Sequence, residues 1–130
     1  MTPDGVIELN REILNPGEPH QLLDRGLLES ACARPKNHWH YNGVDDVEKL
    51  ATLLLFAIAE NHAFLQGNKR TGFAAMVGFL GANGFRFDLS DDAACADDIL
   101  ATLQQQSTPE AFEDRLRRAI VPVDTRSWRS

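Results

Sequence analysis

Cysteine is scarce in this 130-residue chain, with two in all, Cys32 and Cys95. They lie far apart, neither has a companion at metal-ligand spacing, and a chain of this size does not depend on one bridge, so both read as reduced, mostly buried thiols. Positive charge is also in the minority: 13 Lys and Arg stand against 19 Asp and Glu, a formal net charge of -6. An electrostatic grip on DNA or RNA needs many cations set against phosphates, so nucleic acid is not an expected partner and any phosphate site must be local. Long apolar runs are missing too. The longest, Leu53 to Ala59, falls far short of the roughly 20 residues that span a bilayer, so no membrane role is expected. The start, Met1-Thr2-Pro3-Asp4-Gly5, lacks the basic and apolar segments of a secretory signal, which points to a cytoplasmic protein. No internal repeat or low-complexity tract occurs.

What is present is the balance of a single domain, 43% hydrophobic and 25% charged. Thr2-Pro3 is a cap followed by a first-turn proline, and Val6, Leu9 and Ile13 continue at helical spacing up to Asn15-Pro16-Gly17. A second helix carries Leu27, Leu28, Ala31 and Cys32 and is expected to stop before Pro35, because the residue ahead of a proline resists the α region. The aromatic and polar stretch Lys36 to Gly43 then reads as a loop or short hairpin. Asp45 and Asp46 place negative charge on the first turn of a third helix. Its body, Leu50 through Ala59, is apolar on all sides and should be buried at the centre. A fourth helix starts near Asn68, carries Phe73, Met76, Val77 and Leu80, and ends at the left-handed cap of Asn83-Gly84. Phe85 to Leu89 alternates and reads as a short extended piece. Ser90-Asp91-Asp92 opens a fifth helix through Leu100 and Leu103, and Ser107-Thr108-Pro109-Glu110 a sixth. The expected fold is all-α: one domain over residues 1–120, helices packed around the buried third, and a tail from Val121 to Ser130.

The chemistry concentrates between the third and fourth helices, in Asn61-His62-Ala63-Phe64-Leu65-Gln66-Gly67-Asn68-Lys69-Arg70-Thr71. Gly67 permits close approach to the backbone, and the unpaired N–H groups of the Asn68 to Thr71 turn attract anions. Lys69 and Arg70 put cations where the helix dipole disfavours them unless an anion offsets the charge. His62 can take a proton near neutral pH. On these residues alone two readings stand. A phosphate site is one; a structural histidine beside a solvated Lys-Arg pair is the other. Phe64 reads as a core anchor that pins the loop.

His-x-Phe-x-x-Gly-Asn-Lys-Arg is similar to the signature loop of the Fic/Doc family. The flanks extend the likeness: Thr71-Gly72-Phe73-Ala74-Ala75 through Asn83-Gly84 resembles the following helix of death-on-curing proteins. Gly26-Leu27-Leu28-Glu29-Ser30-Ala31 with Arg34-Pro35 resembles their second helix and the entry to a substrate-docking flap. The resemblance implies a Fic-like helical bundle with His62 as catalytic base and Gly67, Asn68 and Thr71 in the anion-cradling turn, where the Asn68 side chain also reaches phosphate. Arg70 would be the phosphate clamp, and Lys69 would mark the death-on-curing branch. It further implies ATP as co-substrate with Mg²⁺ and transfer of the γ-phosphoryl to a hydroxyl of a translation protein such as elongation factor Tu. The partner implied is an antitoxin of the prevents-host-death type, since no inhibitory string of Ser or Thr, three residues, then Glu and Gly or Asn occurs here. Nucleotidyl transfer (AMPylation) is an alternative activity.

One position departs from the pattern. Where the family usually has an acidic magnesium ligand, this chain has Gln66, whose amide brings no charge. A catalytically decayed binding module is therefore a further alternative. His38, Trp39, His40 and Tyr41 are expected to form the docking flap; His38 and His40 alone are too few to hold a metal. His20 stands without a constellation and reads as surface.

Overall fold

The computed structural model describes residues 2–42, 46–87, 108–118 and 120–122. Within them the chain forms α1 (Pro3–Ile13), α2 (Arg25–Asn42), α3 (Val47–Asn61), α4 (Asn68–Ala82), β1 (Phe85–Phe87), α5 (Pro109–Arg117) and β2 (Ile120–Pro122). The expected fifth helix, Cys95 and the chain beyond Pro122 lie outside the described residues.

Local chemistry accounts for the helix starts. The Thr2 hydroxyl accepts from the Gly5 N–H with Pro3 at the first helical position, and Thr108 repeats the arrangement with Ala111 and Pro109. Asp46 caps α3 by accepting from the Glu48 and Lys49 amides, and its other oxygen takes a 2.7 Å bond from Arg117, tying α5 to the foot of α3. Asp24 accepts from the Leu27 amide at the head of α2.

α3 is apolar all round because it is buried on two sides. Ala51 and Leu55 face Met76, Leu80, Phe112, Leu116 and Ile120. Leu54, Ala57 and Ile58 face Val6, Leu28, Ala31 and Phe64. The helical hub read from the sequence is therefore present, with α2, α4 and α5 packed on it. The two strands pair antiparallel, Phe85 opposite Pro122 and Phe87 opposite Ile120, so the extended piece after α4 has a partner. That partner includes Val121 and Pro122, the first two residues assigned to the tail.

One expectation is corrected. α2 does not stop at Pro35 but runs to Asn42, so the loop or hairpin over Lys36 to Gly43 is, as far as Asn42, the last turns of a helix. Proline inside a helix removes one backbone hydrogen bond and costs about 3 kcal/mol. Here Leu28 and Ala31 are fully buried against α3, and Pro35 is itself buried. Burial of Pro35 itself and of the turns before it carries the helix through the proline.

Candidate active site

His62 ends α3 with φ 52° and ψ 42°, the left-handed region, and is exposed. Among the described residues it is the one non-glycine with positive φ. That conformation costs a side-chain-bearing residue roughly 1–2 kcal/mol. It turns the chain sharply out of the helix, leaving the imidazole at the surface while the next two residues dive inward. Ala63 and Phe64 are buried, Phe64 to 1% exposure, as expected for the anchor of the loop.

The loop is braced by the connector between α1 and α2. The Leu23 and Asp24 amides donate to the Ala63 carbonyl, the Leu65 amide donates to the Gln21 carbonyl, and Leu22 bridges Phe64 as in an antiparallel pair. Asn68 closes the loop from the other end. Its side-chain oxygen accepts from the Phe64 amide at 3.1 Å and its nitrogen donates to the Phe64 carbonyl at 2.9 Å. Both ends of the amide hold the loop, and the nitrogen carries a second hydrogen beyond this pair.

Gly67 precedes α4 with φ 76°. A Cβ there would also sit 3.0 Å from Leu14 Cδ2 and 3.4 Å from Asn10 Nδ2, so conformation and space both require glycine. No side chain caps α4, while the Thr71 amide bonds back to the Gly67 carbonyl. The opening turn of the helix, with Lys69 exposed on it, therefore presents backbone donors and a cation together.

Beneath the turn lies a polar residue that sequence reasoning missed. Asn10, on α1, is wholly buried. Its Nδ2 donates to the Gln66 carbonyl and to Thr71 Oγ1, both at 2.9 Å, and its Oδ1 is bonded to His20 Nδ1 at 2.7 Å. His20 is thus not the surface residue expected; it is half-buried, and its ring centroid lies 6.4 Å from that of Phe64. The signal was legible: Asn10 lies four residues after Val6, on the stripe that α1 buries, and a polar residue on such a stripe needs partners.

Arg70, expected to clamp phosphate, is engaged within the chain. Its two terminal nitrogens meet the two oxygens of Glu18 at 3.0 and 2.7 Å in a fork-to-fork pair. Glu18 is itself held by the Asn15 amide at 2.7 Å. The hydrogen bond from Arg70, then that from Asn15, lowers the Glu18 pKa below the ordinary carboxylate range, and the same pair raises that of Arg70. Glu18 had no signal of its own in the sequence; the long separation of the pair hides it.

The structure brings His62 and Gln66 to Thr71 together on one loop and helix start. The residues assigned to a docking flap lie elsewhere along the bundle. His38, Trp39, His40 and Tyr41 fall in the final turns of α2. The exposed Trp39 lines an open apolar cavity of about 450 Å³ with Leu50 and Leu54 from the first half of α3 and Phe79 and Asn83 from the end of α4. The signature loop joins the opposite ends of those two helices. Among the described residues no group of three or more His, Cys, Asp or Glu could hold a metal, and no helix is long and apolar enough to cross a membrane.

Comparison with known proteins agrees with the loop. Toxin Doc of Mycolicibacterium smegmatis is 41% identical over 83 residues, which are 62% of this chain and 62% of that protein. The aligned region thus spans under two thirds of the relative's length. The Fic/DOC family matches residues 1–80, from α1 through nearly all of α4 and including every residue of the loop. With more than half of its length matched, and with the histidine, phenylalanine, glycine-asparagine and arginine of the signature held on one braced turn, the chain belongs to the Fic/DOC family.

Proposed function

We propose that this protein is a Doc-like toxin that transfers the γ-phosphoryl group of ATP to a hydroxyl of a protein that serves translation, with elongation factor Tu as the first target to test. The observation that supports this reading best is the pairing of an exposed His62 with the uncapped start of α4 on a rigid turn. Family membership supports a transferase role for such a turn, and the likeness to Toxin Doc favours the toxin branch.

In this reading the amides of Gly67, Asn68 and Lys69 cradle phosphate oxygens and the Lys69 ammonium balances their charge. The His62 imidazole accepts the proton of the incoming hydroxyl, whose oxygen attacks the γ-phosphorus. The bond from that phosphorus to the bridging oxygen breaks, ADP leaves with the electron pair, and His62 returns its proton to solvent. Arg70 reaches phosphate with the donors that its pair with Glu18 leaves over, or by parting from Glu18.

ATP normally arrives with Mg²⁺, which there neutralises phosphate charge. The side chains near the turn do not by themselves make a Mg²⁺ site: Gln66 is a neutral amide and the Glu18 carboxylate is engaged by Arg70. No step above is routed through the metal. A toxin needs restraint, and a separate antitoxin of the prevents-host-death type is the partner proposed.

The experiment is label transfer. Purified protein, cell extract, Mg²⁺ and ATP labelled at the γ or the α position should yield γ-labelled protein, and His62→Ala should abolish it. Transfer of α-label instead would assign nucleotidyl transfer. A second reading, a binding module without catalysis, is favoured by the engaged Arg70 and the neutral Gln66. It requires that the folded protein transfer neither label and that His62→Ala remain as inhibitory to growth as the parent.

A further inference from the structure

We infer that Asn10, oriented by His20, is the positioning residue that aims the backbone donors of the turn at their anion; the inference rests on the phosphotransfer reading of that turn. Asn10 is wholly buried and all three of its engaged polar contacts point to the loop or to its brace. Pulling the Gln66 carbonyl inward fixes the peptide between Gln66 and Gly67. Because a trans peptide is planar, its carbonyl and N–H point in opposite directions, so the Gly67 N–H is turned away from Asn10 and toward the face where a phosphate would lie. The bond to Thr71 Oγ1 fastens the first turn of α4 to the same amide. One side chain thereby sets the relative placement of residues 66, 67 and 71.

His20 holds that amide the right way round. The Gln66 carbonyl can only accept, so the Asn10 nitrogen is directed at it, and Oδ1 then faces His20 Nδ1, which carries the hydrogen of that bond in the matching tautomer. A flipped amide would set its oxygen against the Gln66 carbonyl, two acceptors face to face in a dry site. The arrangement is close-fitting: a Cβ on Gly67 would lie 3.4 Å from Asn10 Nδ2 and 3.8 Å from Arg70 Nη2, so the amide, the glycine and the guanidinium converge at one point.

The test uses Asn10→Asp, which replaces the donor with an acceptor, His20→Leu, which removes the orienting N–H, and His20→Asn, whose amide offers a donor at similar reach. Phe112→Leu, in the other half of the core, serves as a control for lowered stability alone. Calorimetry with ATP and Mg²⁺, kcat and KM for label transfer, and the backbone amide shifts of Gly67 to Arg70 are measured on each. Asn10→Asp and His20→Leu are expected to weaken ATP binding about tenfold, the effect of one buried hydrogen bond, and to shift the turn amides. His20→Asn should keep both close to the parent, and Phe112→Leu should lower Tm while leaving both unchanged. Since His20 is only half-buried, its two variants decide the matter if Asn10→Asp does not fold. ATP affinity and turn shifts that survive His20→Leu overturn the inference, as does a His20→Asn that behaves like His20→Leu. If the parent binds no ATP, the phosphotransfer reading fails and the amide shifts alone decide: moved in His20→Leu but not in His20→Asn supports positioning, and unmoved in both refutes it.

Discussion

Replacing Gly72 with alanine is expected to loosen the contact that sets the spacing of the two helices carrying the site. Gly72 is buried in the second turn of α4, and a Cβ there would meet the Leu55 carbonyl oxygen at 2.8 Å, Leu55 Cδ1 at 3.2 Å and the Ala59 nitrogen at 3.4 Å. Two of these three are backbone atoms of α3, so no rotamer change relieves the clash and the helices must separate by several tenths of an ångström. Overpacking of this kind costs about 1–3 kcal/mol, against which alanine in a helix gains about 0.5–1 kcal/mol over glycine. With two backbone atoms in the way, the cost lies in the upper half of that range, about 2–3 kcal/mol, so the net is a loss of about 1–2.5 kcal/mol, or a Tm lower by roughly 3–12 °C for a chain of this length. His62 hangs on the end of α3 and Lys69 on the start of α4, so ATP binding should weaken with it. Gly81 is the control. It lies on the same helix, exposed, with nothing among the described residues within 4 Å of an added Cβ, and Gly81→Ala should raise stability by about 0.5–1 kcal/mol. Differential scanning fluorimetry on both variants checks the pair. A Gly72→Ala protein as stable as the parent would refute the close approach on which the argument rests.

Glu18→Gln removes the anion that occupies Arg70 and should tighten binding of ATP or inorganic phosphate in calorimetry; weaker binding would mean that the pair serves to hold the loop. The Glu18 pKa is lowered in the folded state, so its stabilising contribution is fully present above the ordinary glutamate range and is lost as pH falls through the lowered value. Acid unfolding of parent and Glu18→Gln should accordingly differ at neutral pH and converge at the acid end. Phe64→Ala, at a fully buried ring, should cost about 3–5 kcal/mol in urea unfolding. Gln66→Asp puts a carboxylate beside the turn and should raise label transfer across a Mg²⁺ titration; a fall would indicate that the new charge pairs with Lys69 instead.

The signature histidine at the end of a helix with an apolar body, the glycine at the turn and the cations after it were all legible, because each is a local matter of spacing, conformational preference and helix-end chemistry. The cap at Thr2 and the buried Phe64 follow from the same short-range rules, while the caps of α3 and α5 fall on Asp46, expected in the first turn, and on Thr108, one residue after the start of the capping-box spacing. Tertiary structure decided what those rules cannot reach. It carried α2 through Pro35, since burial of the proline and of the turns before it outweighs one lost hydrogen bond, and so moved Trp39 and its neighbours from a loop to a helix. It also paired Asn10 with Gln66 and Glu18 with Arg70, partners 56 and 52 residues apart that no local pattern connects. Composition sets which groups need partners; only the packing of α1 and its connector against the loop determines which partners they find.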